Sequence, residues 1–133
     1  MSKINSNTKT IILVACLLLI IIISGLFTLY YLDLTSDKLE HQVRAACVSV
    51  SDNQWDLAKK QLEAFEHTWK KTKYGWAILL DHFEIDNIDN SFTKSRKYVE
   101  SNDYSLALAE LEALRQYILH IPKKESFSLE NIL

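Results

Sequence analysis

The sequence predicts an all-α protein in which one membrane-spanning helix precedes an extracytoplasmic bundle of about four helices. Residues 11–32 carry no charged side chain, apolar residues recur at helical spacing in the rest of the chain, and one stretch of that rest is repeated after 49 residues. We therefore expect a cytoplasmic N-terminus (1–10), a transmembrane helix (11–32) and an extracytoplasmic helical domain (33–133). The domain would consist of two tetratricopeptide-like helical hairpins.

The uncharged segment is long enough to span a bilayer, because about 20 helical residues cross the hydrocarbon core. Lys3 and Lys9 precede this segment with no acidic residue near them, whereas Asp33, Asp37 and Glu40 follow it alongside only Lys38 and Arg44. Basic residues resist translocation, so this distribution favours a cytoplasmic N-terminus and a single-pass protein of the cell membrane. Tyr30 and Tyr31 are typical of the outer interface. We expect an uncleaved signal anchor.

Two processed forms are alternatives to the signal anchor. A cleaved signal peptide usually has about 7 to 15 apolar residues followed by an A-x-A-like site, and neither feature is found here. The string LVAC, which ends at Cys16, resembles a bacterial lipobox. The apolar run continues beyond that cysteine, which argues against lipoprotein processing.

Composition narrows the class of partner. The formal net charge is −2, and the part after the anchor is mildly acidic, so we expect no nucleic-acid partner.

Cys47 is the only cysteine beyond the membrane segment, which leaves no internal disulfide. A thiol packed between helices is the expected state of Cys47, with a bridge between two copies as the alternative.

One amphipathic helix is predicted over residues 53–73. Its apolar residues are spaced alternately three and four apart and so share one helical face: Trp55, Ala58, Leu62, Phe65 and Trp69. Ser51 and Gln54 form a candidate capping box, with Asp52 as a rival cap. Gly75 is expected to end the helix in a left-handed turn.

A second amphipathic helix is predicted over 103–121. It shows the same spacing at Tyr104, Ala107, Leu111, Leu114, Ile118 and Ile121. Asn102 or Asp103 would cap its start, and Pro122 is expected to end it. The tail 123–133 is expected to fold back against the bundle, with a free apolar tail as the alternative.

An internal repeat relates the two helices. WDLAKKQLEAF at 55–65 aligns with YSLALAELEAL at 104–114, and the same shift places Leu39 on Ile88 and Val50 on Val99. The hairpins would pair 33–50 with 53–73, and 76–100 with 103–121. Because two repeats are too few for an open solenoid, we expect a compact four-helix packing. Chance alignment of two similar helical faces is the alternative explanation.

Two segments, WAILLDHFEIDNID at 76–89 and LALAELEALRQYILHIPKKESFSLENIL at 106–133, carry a family resemblance. They resemble a family of small single-pass membrane proteins of unknown function from clostridia and other endospore-forming bacteria. The matching residues are Trp76, Leu79, Asp81, His82, Glu84, Asp86, Leu108, Glu110, Leu111, Ile121, Pro122 and Glu125. The resemblance implies an anchored helical domain and an association with sporulation, but no activity.

The strongest candidates for site chemistry are His82, Asp86 and Asp89, which share one stripe of a predicted helix. An imidazole and two carboxylates could hold a divalent metal or supply an acid–base pair. No matching half-site occurs on another predicted helix. A solvated face, or pairing of these charges with Arg96 or Arg115, is therefore favoured, and we expect no catalytic residue, metal or cofactor.

Two functional hypotheses result. The first is a non-enzymatic interaction or scaffold module that the anchor confines to the outer face of the membrane, where it binds an envelope protein. The alternative is a metal-binding or acid–base enzyme that uses the face of His82, Asp86 and Asp89. The sequence is also compatible with a homo-oligomer.

Overall fold

The structure is a computed structural model that describes residues 5–131. This part of the chain forms four α-helices and contains no β-strand: α1 (Ser6–Ser51), α2 (Trp55–Leu79), α3 (His82–Glu100) and α4 (Tyr104–Glu130). Lys3, Ile132 and Leu133, which entered the predictions of topology and tail, lie outside the described residues. The prediction of an all-α chain with four helices is confirmed.

α1 is one unbroken helix that combines the uncharged segment with the first helix of the bundle. Its apolar part has a mean hydropathy of 3.1 and is long and apolar enough to cross a membrane. The side chains of this part point outward, whereas from Leu32 onward one face of α1 is buried. No linker separates the two parts, so α1 itself fixes the position of the bundle relative to the uncharged segment.

The helices pack as an antiparallel ring in which α1 contacts α2, α2 contacts α3, α3 contacts α4 and α4 contacts α1. Each helix contributes one apolar face to a common core, as the three-and-four spacing predicts. We call the end at which the uncharged segment joins the bundle the near end, and the opposite end the far end. The α1–α2 and α3–α4 turns lie at the far end, and the α2–α3 turn lies at the near end.

The two far-end turns have the same backbone geometry and lie 49 residues apart. Asn53 and Asn102 adopt positive φ angles of 57° and 55°, a left-handed conformation that asparagine tolerates better than most residues. The next residue in each turn donates its N–H to the carbonyl five residues earlier: Gln54 to Ser49, and Asp103 to Tyr98. The predicted repeat thus extends to the turns. This agreement argues against a chance alignment of two helical faces.

The capping predictions had mixed outcomes. Asp103 caps α4 and accepts the N–H of Leu106 at 3.0 Å, as expected. The predicted capping box at Ser51 and Gln54 is wrong, because Gln54 is the N-cap residue of α2 and makes no side-chain capping bond.

The predicted helix end at Gly75 is also wrong, since α2 continues to Leu79 and Gly75 has no positive φ. A Cβ atom at this position would overlap with the Oη atom of Tyr31. Glycine therefore permits the close approach of α2 to α1 at the near end, and it does not terminate the helix.

α4 continues past Pro122 to Glu130, contrary to the predicted end at this proline. Proline has no N–H to donate to the carbonyl four residues earlier, which is that of Ile118. The buried hydroxyl of Ser36 on α1 donates to this carbonyl instead, at 2.9 Å. The tail therefore does not fold back as predicted. It extends α4 along the uncharged segment, where Leu129 packs against Gly25.

Candidate functional site

The N-terminal part of α3 carries the predicted acidic face. Asp81 is the N-cap residue and accepts the N–H of Phe83 at 3.4 Å. His82 and Asp86 are exposed, and Asp89 is half-buried against α2. The structure therefore places the three candidate residues on one helix, as predicted, but in different surroundings.

Asp89 connects α3 to α2. Its Oδ1 accepts the indole N–H of Trp69 at 2.7 Å, and its Oδ2 pairs with the ammonium group of Lys73. The predicted partners Arg96 and Arg115 are not those of Asp89. Because both carboxylate oxygens are engaged, Asp89 has a structural role between the two hairpins.

No group of three or more His, Cys, Asp or Glu side chains converges in a metal-binding arrangement within residues 5–131. His82 and Asp86 are solvated side chains of one helix. Without Asp89 they supply two donors, fewer than the three or four protein ligands of a typical zinc site.

A second carboxylate, Glu40, forms a network that the sequence analysis missed. This side chain on α1 is only 7 % exposed, and its Oε1 accepts from Arg44 Nη2 at 2.6 Å and from Arg115 Nε on α4 at 2.7 Å. Burial raises the pKa of Glu40, but the hydrogen bonds and charges of Arg115 and Arg44 outweigh this effect, and the net pKa is lowered. Arg115 Nη1 also donates to Glu112, at 2.8 Å.

The sequence contained a signal for this network. Glu40 lies on the buried face of α1, between Leu39 and Val43, and the 49-residue shift places it on Asp89. Each hairpin thus carries one acid at the same position of its first helix. Each acid pairs with a basic residue of the other hairpin.

Cys47 is the one cysteine of the helical domain. It is half-buried, and burial, followed by the charge of Glu112, raises the pKa of its thiol to about 11. The thiol is therefore protonated at neutral pH and is a poor nucleophile. This is the helix-packed thiol that the sequence predicted.

A cleft of about 430 Å³ opens between α3 and α4 in the half of the bundle next to the near end. Phe83, Asn87, Tyr117 and His120 are among the residues that line it. At its rim Lys124 donates to Glu84 at 2.7 Å, and this bond raises the pKa of Lys124. Aromatic, amide and basic side chains thus share one open surface beside the near end.

The sequence profile of a domain of unknown function (DUF4363) matches residues 26–132. The chain belongs to this family. The match covers the whole helical bundle and the last turns of the uncharged segment, and it confirms the expectation of an uncharacterised family. No curated protein and no solved structure matches the chain significantly.

Proposed function

We propose that this DUF4363 protein is a membrane-anchored interaction module that holds a small helical domain on the extracytoplasmic face, where it binds another protein of the envelope. In this proposal the chain catalyses no reaction of its own. The link to sporulation, which the family resemblance implies, stays a prediction.

The observation that carries the proposal is the continuity of α1. At 1.5 Å per residue the uncharged segment is about 33 Å long, which matches a hydrocarbon core of about 30 Å. The same helix then supplies one quarter of the bundle. Such a domain is held at a fixed position relative to the bilayer, which raises its local concentration toward any partner in the same membrane.

The orientation rests on charge. Lys9 precedes the uncharged segment with no acidic residue near it. Asp33, Asp37 and Glu40 follow the segment alongside only Lys38 and Arg44, a small asymmetry that favours an N-terminus inside the cell.

The interior polar groups support an interaction role over catalysis. Asp89 and Glu40 are both engaged in ion pairs that join one hairpin to the other. The surface that is left for a partner includes the cleft between α3 and α4. In the proposed orientation, its position beside the near end would turn it toward a neighbour in the same membrane. No observation favours the metal-binding or acid–base alternative.

Site-specific photocrosslinking in native membranes tests the proposal. A photoreactive phenylalanine replaces Tyr117 in the cleft, and a matched variant carries it at Tyr104, a tyrosine of similar exposure near the far end of the same helix. We expect one discrete heterologous adduct from position 117 and none from position 104. Only the uncrosslinked chain at both positions, or the same diffuse adducts from both, would count against a specific partner.

The alternative has its own test. Metal content is measured for the purified full chain and for His82→Ala after exposure to Zn²⁺ or Mn²⁺ and removal of excess metal. We expect equally negligible metal in both. Stoichiometric metal that is lost in the variant would support the alternative.

A further inference from the structure

Large apolar side chains are exposed at the near end of the bundle. Tyr74, Ile78 and Phe127 are 81 %, 85 % and 66 % exposed, respectively. Tyr74 and Ile78 lie one helical turn apart on α2, and Phe127 lies in the last turns of α4. We call these three residues the near-end apolar set.

Contacts with α1 give the height of this set relative to the uncharged segment. On α2, the indole N–H of Trp76 donates to Thr35 at 2.8 Å, and Gly75 packs against Tyr31. Because α2 runs antiparallel to α1, Ile78 comes level with about residue 32, at the outer end of the uncharged segment.

α4 reaches deeper than α2. Ser36 bonds to Ile118, and Gly25 contacts Leu129, so the two antiparallel helices keep the same register between these contacts. Residues 123–130 consequently lie beside residues 24–31 of α1. Phe127 comes level with residue 27, which is within the uncharged segment.

The charged side chains of residues 123–130 limit how far this part of α4 can enter the bilayer. Lys123, Lys124, Glu125 and Glu130 flank Phe127 and Leu129. Four ionised groups would be costly in the hydrocarbon core, whereas the headgroup layer accommodates lysine and aromatic side chains together. The uncharged segment is about 3 Å longer than the core, so residues 31 and 32 reach this layer. Phe127, level with residue 27, lies about 8 Å inward from residue 32, at the boundary with the acyl chains.

We propose that the near end of the bundle is embedded in the interfacial layer of the outer leaflet, with phospholipid as the occupant of the near-end apolar set. The inference rests on the proposed membrane anchor. A lipid surface is favoured over a protein partner because α1 has no linker that could lift the bundle away from the bilayer. Lys123 and Lys124 lie at positions of α4 that are level with Tyr30 and Tyr31, the depth at which lipid phosphates are found.

The test uses the full chain in vesicles of phosphatidylcholine and phosphatidylglycerol. Cys16 and Cys47 are replaced by alanine, and a single cysteine carrying an environment-sensitive fluorophore is placed at Ile78 or Phe127. Leu57 and Leu106 provide matched controls, since they are exposed leucines near the far ends of α2 and α4. Leu19→Cys reports on the anchor itself.

Quenching is measured with a lipid that carries a nitroxide near its headgroup and, separately, with aqueous iodide. We expect the labels at 78 and 127 to be quenched several-fold more by the lipid, and several-fold less by iodide, than those at 57 and 106. Circular dichroism verifies that each labelled chain keeps its helical content.

Three results would overturn the inference. Labels at 78 and 127 that behave like those at 57 and 106, while the label at 19 is in lipid, would refute the interfacial contact and leave the anchor intact. Labels at 78 and 127 that are shielded from both quenchers would indicate a covering protein chain. A label at 19 that iodide quenches would instead refute the anchor, and with it the proposed function.

Discussion

The two hairpins of the bundle are alike at the far end and different at the near end. The first hairpin (residues 33–51 of α1 with α2) and the second (α3 with α4) share the asparagine turn and a ladder of buried residues at equivalent positions. Toward the near end, α2 stops at Leu79 after burying Trp76, whereas α4 passes through Pro122 and continues along the uncharged segment. The repeat therefore accounts for the packing of the helices, and the two hairpins differ where the bundle meets the uncharged segment.

The largest expected effect concerns Trp76, which is fully buried in the first hairpin, while its equivalent in the second, Glu125, is half-buried. Trp76→Ala should lower the free energy of unfolding by about 3 to 5 kcal/mol, because it removes a large core side chain that packs edge-on against Trp69. Glu125→Ala should cost about 0.5 kcal/mol or less. Urea unfolding of the full chain in nanodiscs, followed by circular dichroism, measures both.

A control separates packing from hydrogen bonding at this position. Trp76→Phe keeps an aromatic ring but removes the bond to Thr35, so it should cost less than the alanine variant. If Trp76→Ala proved no more harmful than Glu125→Ala, the near-end difference between the hairpins would have no energetic basis.

The two equivalent acids should respond unequally to loss of their partners. Arg115→Met removes one partner from the nearly buried Glu40, and we expect a loss of about 2 kcal/mol. Lys73→Met removes a partner from Asp89, whose side chain is 36 % exposed, and should cost less than about 1 kcal/mol. The same unfolding assay compares the two variants. Equal losses of stability would contradict the difference in burial between Glu40 and Asp89.

The loss of stability caused by Arg115→Met should depend on pH in a defined direction. The pKa of Glu40 is lowered in the folded chain, so its stabilisation is present above the ordinary value near 4.5 and is lost as the pH falls through the folded value. The gap in stability between wild type and Arg115→Met should therefore narrow in acid. A gap that widened in acid would show that Arg115 does not act through the Glu40 carboxylate.

A double-mutant cycle tests how α4 passes through Pro122. Ser36→Ala should cost about 1 to 2 kcal/mol, since it leaves the buried carbonyl of Ile118 without a donor. In a Pro122→Ala background the alanine N–H can donate to that carbonyl, so the same serine substitution should cost less. Equal losses from Ser36→Ala in the two backgrounds would show that the serine hydroxyl does not take the place of the backbone N–H that proline lacks.

The smallest effect compares Ser95 with Ala46, its equivalent in the first hairpin. The hydroxyl of Ser95 is fully buried and has no hydrogen-bond partner within the described part of the chain. Ser95→Ala should stabilise the protein by up to about 1 kcal/mol, and Ala46→Ser should destabilise it by a similar amount. Thermal unfolding of the two variants measures this, and destabilisation by Ser95→Ala would indicate an unrecognised partner.

Local sequence patterns predicted the helices and their buried faces, because the spacing of apolar residues and the caps act within a few residues. What they missed depends on contacts between distant parts of the chain. Pro122 does not end α4 because Ser36, 82 residues from Ile118, supplies a hydrogen bond. Gly75 leaves space for Tyr31 of another helix, and Glu40 contacts Arg115, which is 75 residues away in the chain. The candidate face of His82, Asp86 and Asp89 was placed correctly on one helix, but the engagement of Asp89 by α2 required the fold.

The central claim is that an uncleaved α1 carries the bundle on the extracytoplasmic side, and thiol labelling in intact cells tests it most directly. Cys47 is a poor reporter because its pKa is about 11, so Leu57→Cys and Asn5→Cys are compared in a chain lacking the native cysteines. We predict that a membrane-impermeant maleimide labels position 57 in intact cells and position 5 only after permeabilisation, on a chain whose mass includes residues 1–32. The reverse labelling pattern, or a mature chain that begins beyond residue 32, would contradict the account.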